Sequence, residues 1–399
     1  MPFSLPKTYY DFRTEEQPLI TECVRQDLRL IQKEGLSGPF FDPDILKGFD
    51  RYFDYAFTNI AQKAKNSFRQ LAGFDELYFR RLWEDFTSKN TVGRIEFFLT
   101  ADYLVLLNFE LFGKKSLFFT DNLVEHLVHT ELDAPSSSIK LPFESCLFVI
   151  TAKSVIEAIW QLRGTYPESF EPLNIFLTEA VTSADEGGIR KVVFVCYQKI
   201  PNGEPFFVKR SLLIREDWSI KHMLRTDWLS ISPESKDEKS FALDDDDFYE
   251  NRGVLLFYRV LLNCILYLES NDAEIIKKLS PHRRAASMNR KQKREILFDP
   301  PNSDREISRL DYHLIGADIP PLIIQRIVVE DDGTENVNDA LENDRRSETK
   351  RLSIRFIVRG HWRKQPFGKG SEERKLIWIK PHYKGPEMSE LINRPILVR

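Results

Sequence analysis

The sequence has little cysteine, no long apolar run, and none of the short glycine motifs that announce phosphate or dinucleotide binding. Its four cysteines, Cys23, Cys146, Cys196 and Cys264, stand singly within apolar segments. That scatter excludes a paired zinc or redox spacing and predicts reduced core residues of a cytosolic protein. The most apolar stretch, Val254 to Leu268, is broken by Arg259 and Asn263 and is too short to span a bilayer, so no membrane partner is expected. Met1 to Arg13 has no apolar core, which argues against a secretory signal. A nucleophile elbow and internal repeats are absent too, and Gly187-Gly188 sits at a turn between strand patterns. No cofactor is expected.

What the chain has is aromatic weight and unevenly placed charge. Hydrophobic residues make up 42% and aromatics 12%, enough anchors for most of the 399 residues to pack, as two or three domains or one elaborate α+β body. The formal net charge is −4, yet residues 351 to 399 hold 12 Lys and Arg against 4 Asp and Glu, and residues 281 to 295 hold 6 against 1. The remainder therefore carries −17, an acidic body with two basic segments. Clustered positive charge is the usual footprint of polyanion binding; the alternative is that these segments dock on the acidic body itself.

The pattern predicts an α+β fold with a helical N-terminal region, an antiparallel central sheet and a basic β-hairpin C-terminal module. Leu19, Cys23, Leu28 and Ile31 recur at helical spacing before Gly35, the aromatic stripe Phe49, Tyr52, Phe53, Phe57 and Ile60 follows Asp42-Pro43, and a further helix is expected from Asp75 to Phe86. From about Gly93 the expectation changes to strands, over Arg94 to Leu99, Tyr103 to Phe112 and Leu141 to Thr151. A meander follows at Asn174 to Ser183, Ile189 to Lys199 and Pro205 to Ile214, with short turn signals that require antiparallel pairing. A buried helix is expected over Phe248 to Glu269 and strands over Asp311 to Ala317 and Leu322 to Val329. The domain division reads as a helical region at 1–90, a central α+β domain at 91–280, a basic linker at 281–305 and a basic β-rich module at 306–399 with a mobile loop over 330–350.

Leu352 to Arg363, taken as one strand, sorts by parity. Leu352, Ile354, Phe356, Val358 and Trp362 fall on one face; Arg355, Arg359, His361 and Arg363 fall on the other with Ile357. Gly360 marks a bulge or a close backbone approach. Lys364 to Glu373 reads as a loop and Lys375 to Lys380 as a second strand, which brings Lys380 and His382 toward Arg355. The run Val358-Arg359-Gly360-His361-Trp362-Arg363-x-Gln365, then Ile377-Trp378-Ile379-x-Pro381 and Gly385-Pro386, resembles the ending of a set of uncharacterised bacterial, plasmid and phage proteins. That resemblance implies an association with mobile elements or host defence and assigns no activity or catalytic residue.

The nucleic-acid-binding candidates are Arg355, Arg359, His361, Trp362, Arg363, Lys380, His382 and Lys384, joined by Arg283, Arg284, Arg290 and Lys291 of the linker. Forked guanidinium donors suit phosphate, and aromatic and guanidinium planes suit unstacked bases, so RNA is the preferred partner over DNA. If the chain is an enzyme, His361 is the acid or base of a metal-independent ribonuclease and Arg359 and Arg363 clamp the phosphate. A solvated basic sheet face, or a module seated on an acidic protein partner, remains open on the same residues. No metal site is expected: Asp244 to Asp247 suit a helix N-terminus, and Glu125, His126 and His129 lack the zincin spacing. A helix capped by Asp121 is expected to turn those three toward solvent.

Overall fold

The computed structural model describes residues 5–73, 75–161, 171–181, 189–198, 206–224, 252–280, 283, 307–322, 356–368 and 373–384. Five helices come first: α1 (Tyr9–Glu16), α2 (Pro18–Glu34), α3 (Lys47–Ala72), α4 (Glu76–Phe86) and α5 (Lys89–Leu111). Their ends follow from local chemistry. Thr8 and Asp11 form a capping box on α1, and Pro18 opens α2 where its missing N–H costs nothing. Gly35 closes α2 in the left-handed region at φ 65°, and the Asp75 carboxylate accepts from the Tyr78 N–H at 3.0 Å to start α4.

The expected strands at Arg94 to Leu99 and Tyr103 to Phe112 are a single helix, α5. Residues 101 to 109 are buried all round, so the apolar run has no polar face from which a 3.6-residue period can be read. The Ser88 side chain accepts from the Thr91 N–H and supplies the start signal that the apolar run overshadows.

The sheet has seven strands in the order β5 (Phe206–Ile214), β4 (Arg190–Gln198), β3 (Leu173–Val181), β2 (Ser145–Ile150), β1 (Ser116–Phe119), β7 (Tyr312–Ile315) and β6 (Ile275–Lys278). The meander β3–β4–β5 is antiparallel as expected. The sheet as a whole is mixed, because β1 pairs in parallel with both β2 and β7. Strand β7 thus comes from late in the chain to sit between β1 and the edge strand β6.

Both faces are covered, and alternate side chains enter different cores. Phe148, Ile150, Ile175, Leu177 and Phe194 point to a layer made by α6 (Asp121–Val128), α7 (Lys153–Gln161) and α8 (Arg252–Glu269). Leu147, Val149, Phe176, Val195 and Tyr197 point to the layer of α1, α2, α3 and α5. All four cysteines are free and buried. On the N-terminal side the core contains a charge: Asp102 of α5 pairs with Arg13 and accepts from the hydroxyls of Tyr9 at 3.0 Å, Tyr52 at 3.2 Å and Tyr197 at 3.3 Å. The remaining strands, β8 (Phe356–Val358), β9 (His361–Phe367), β10 (Glu373–Ile379) and β11 (His382–Lys384), form two small antiparallel pairs, β9–β10 and β8–β11.

Several expectations fall outside the described residues. These are the strand at Leu322 to Val329 beyond residue 322, the loop at 330–350, the acidic run Asp244 to Asp247, and the basic tract apart from Arg283.

Candidate nucleic-acid interface

The C-terminal strand departs from its expected course in one place. It breaks at Arg359-Gly360, and β9 then runs on to Phe367 through residues expected to be a loop. The hairpin therefore registers as His361↔Ile379, Trp362↔Trp378 and Arg363↔Ile377, while β11 returns to β8 with His382↔Val358. The break has a steric reason. A Cβ at Gly360 would stand 2.7 Å from Pro381 Cδ and from Thr130 Oγ1, and 2.9 Å from the Ile379 carbonyl oxygen. Only glycine lets the chain approach the end of α6 this closely, where the Gly360 N–H donates to the His129 carbonyl at 3.0 Å and the Glu131 N–H donates to the Gly360 carbonyl at 2.8 Å.

The inward face of the hairpin anchors it. Trp362 and Trp378 stack with ring centroids 6.2 Å apart, and both are buried in the core shared with α6 and α8. Asn263 of α8 is the hub: its side-chain oxygen accepts from Trp362 Nε1 at 2.8 Å, and its amide donates to the Leu127 and Thr130 carbonyls at 2.9 Å each. Trp378 Nε1 donates to Thr130 Oγ1 at 3.1 Å. Trp362, proposed from sequence as a nucleic-acid contact, is thus 5% exposed and serves the core.

Alternation places His361, Arg363, Lys375 and Phe367 on the outward face, where His361 and Arg363 are exposed and the Lys375 ammonium sits 5.7 Å from the Phe367 ring centroid. Lys380, His382 and Lys384 are exposed as well. Arg359 is exposed but paired with Glu131 at 3.4 Å. The described residues 356–368 and 373–384 carry seven Lys and Arg against one carboxylate, Glu373. Arg355, Arg284, Arg290 and Lys291 lie outside the described residues, and Arg283 stands apart from the hairpin, paired with Asp311.

Beneath the hairpin the positive charge has consequences. Burial, together with Arg259, His126 and Arg359, pushes the His129 imidazole down to about 4. The Arg259 guanidinium is lowered first by burial and then by Arg359, against an opposing pull from Glu131. The expectation that His126 faces solvent is overturned. It is 6% exposed, its Nε2 lies 3.1 Å from the Pro320 carbonyl oxygen and its ring meets Trp378 edge-on, because the hairpin covers that side of α6. Asp121 lies in the first turn of α6 after its N-cap, Thr120, and accepts from Thr151 Oγ1 at 2.6 Å. No group of three or more His, Cys, Asp or Glu suited to a metal occurs among the described residues.

Sequence reasoning missed the cleft beside the hairpin. A cavity of about 570 Å3 opens between β9–β10, the 3-10 turn Ser136–Ser138 and the ends of β4, β5 and α8. It is lined by Lys140, Arg190, Lys364, Arg374 and Lys375, against Glu216 and Glu269. Arg190 is held in place by Glu179 at 2.8 Å and by the Ile139 carbonyl at 2.7 Å. Glu269 is pushed up by burial, with Lys140 and Arg190 opposing that rise. Phe367, 39% exposed, stands at the rim. The charge of the C-terminal segment signalled Lys364, Arg374 and Lys375; no local signal marks Lys140 or Arg190, which only the topology brings there.

A family model described as "AcrVA2-like: Anti-CRISPR type V subtype A2 family" matches residues 117–383. That is more than half of the sequence and takes in α6, the sheet, α8 and the hairpin. The chain belongs to the AcrVA2-like family. Membership agrees with the phage and mobile-element setting implied by the C-terminal resemblance. A solved structure described as "Crystal structure of AcrVA2" is similar over 94% of this chain and 96% of that chain, at 11% identity and a TM-score of 0.39. No curated protein matches. Among the described residues no helix is long and apolar enough to cross a membrane.

Proposed function

We propose that this AcrVA2-like protein inhibits a CRISPR system in the host cytosol by gripping single-stranded RNA between its C-terminal hairpin and the edge of its sheet. The observation that carries this reading is the cleft itself, where Lys140, Lys364, Arg374 and Lys375 outnumber Glu216 and Glu269, and Arg190 is already engaged by Glu179. Forked and point donors of this kind take successive phosphates, and the exposed Phe367 ring with Lys375 beside it offers a stacking surface at the rim. RNA is preferred over duplex DNA because unpaired bases can splay onto such a ring. CRISPR effectors are themselves built around a guide RNA, so an RNA grip suits an inhibitor in this family.

The outward residues His361 and Arg363 extend the basic surface around the hairpin, and Lys380, His382 and Lys384 continue it. Arg359 contributes less, since Glu131 already engages it. Retention of labelled single-stranded RNA and matched single- and double-stranded DNA by the full chain tests the reading; equal retention of all three contradicts the RNA preference. Incubating RNA with the protein and a chelator separates binding from cleavage. Intact RNA is expected, whereas cleavage that disappears in His361→Ala would make the chain a ribonuclease.

A further inference from the structure

A second cavity, of about 780 Å3, lies away from the hairpin, where the junction of α1 and α2 meets the end of α5 and the approach to β7. Four cations, Arg25, Lys114, Arg283 and Arg309, line it. Its carboxylates are already engaged within the fold. Glu15 pairs with Lys7 at 2.5 Å, Glu22 with Arg51 at 2.9 Å and Asp311 with Arg283, while Asp11 is held by the cap of α1. Lys114 in turn is matched by Glu110 at 3.0 Å. Arg25 and Arg309 are left with no ion pair among the described residues.

Two uncompensated guanidiniums form a forked donor set for a phosphate group, and Tyr10 and Leu310 add an apolar side to the cavity. Its volume falls within the few hundred to a thousand Å3 that small-ligand sites occupy.

We propose that this cavity binds a phosphate-bearing small molecule of nucleotide size, with Arg25 and Arg309 on the phosphate. The site is separate from the RNA cleft and does not depend on it. The test titrates ATP, AMP and inorganic phosphate into the full chain at physiological salt, read by calorimetry and by Tm. Wild type, Arg25→Ala with Arg309→Ala, and Lys364→Ala with Arg374→Ala are compared. ATP and AMP are expected to bind and raise Tm. Affinity should fall about tenfold or more in the Arg25/Arg309 variant, as expected for loss of charge-assisted bonds, and stay unchanged in the hairpin variant. Because both arginines are exposed, their replacement should leave the ligand-free Tm unchanged. Failure of all three probes to bind, undiminished binding by the Arg25/Arg309 variant, or binding of inorganic phosphate as tight as that of ATP would overturn the proposal.

Discussion

The two faces of the central sheet are closed by buried polar centres of opposite kinds. On the N-terminal face Asp102 is a charge, fully enclosed, met by Arg13 and three tyrosine hydroxyls. Burial first, and then the Asp102 carboxylate, raises all three tyrosines well above their ordinary range, so they remain donors at any physiological pH. On the C-terminal face Asn263 is neutral and joins α8, the end of α6 and Trp362 through three hydrogen bonds. The two centres leave charge accessible in different places. The first centre consumes its cation inside the core; the second anchors the hairpin with neutral bonds and indoles and leaves its lysines and arginines outside.

The largest expected effect lies on the charged side. Asp102→Ala leaves Arg13 buried without its partner and should cost about 3–5 kcal/mol, seen as a lower midpoint in denaturant unfolding. If the loss is below about 1 kcal/mol, Asp102 is not the tie that the geometry indicates. Trp362→Ala should cost about the same, 3–5 kcal/mol, from lost burial and an emptied site against Trp378. Here the loss should be local, exposing the hairpin to protease while the rest of the sheet stays protected from hydrogen exchange. Equal deprotection of the whole chain would erase the distinction between the two faces.

A smaller effect separates them by pH. His129 is held neutral to about pH 4 when folded, below its ordinary value of 6.5. Between those values the unfolded chain binds more protons than the folded one, so stability is full above about pH 6.5 and is lost as the pH falls toward 4. Burial lowers His126 and His313 in the same direction. Acidification should therefore loosen the hairpin by about 1–3 kcal/mol, and His129→Gln should flatten that dependence. A profile unchanged by the substitution would remove His129 from the account.

Much of this division was legible in the sequence, for definable reasons. The meander was readable because short turns force antiparallel pairing, and the helices from Pro18 to Phe86 because their apolar stripes leave a polar face. Parity at His361, Trp362 and Arg363 held, with Trp362 inward and its neighbours outward. The second half of helix α5 was misread because burial on all sides of residues 101 to 109 erases periodicity. His126 was misplaced because its cover comes from Trp378, some 250 residues away, and the cleft residues Lys140 and Arg190 escaped notice for the same non-local reason.

Under the proposed RNA grip, the hairpin offers its cations to the strand while its indoles hold it to the body. The most direct measurement is the affinity for labelled single-stranded RNA as a function of salt, for wild type and for Lys364→Ala with Arg374→Ala. Each phosphate neutralised contributes a slope of about −0.7 in log K against log salt, so losing two contacts should flatten the slope by about 1.4 and weaken binding at low salt. No binding at low salt, or an affinity and slope unchanged by the double substitution, would contradict it.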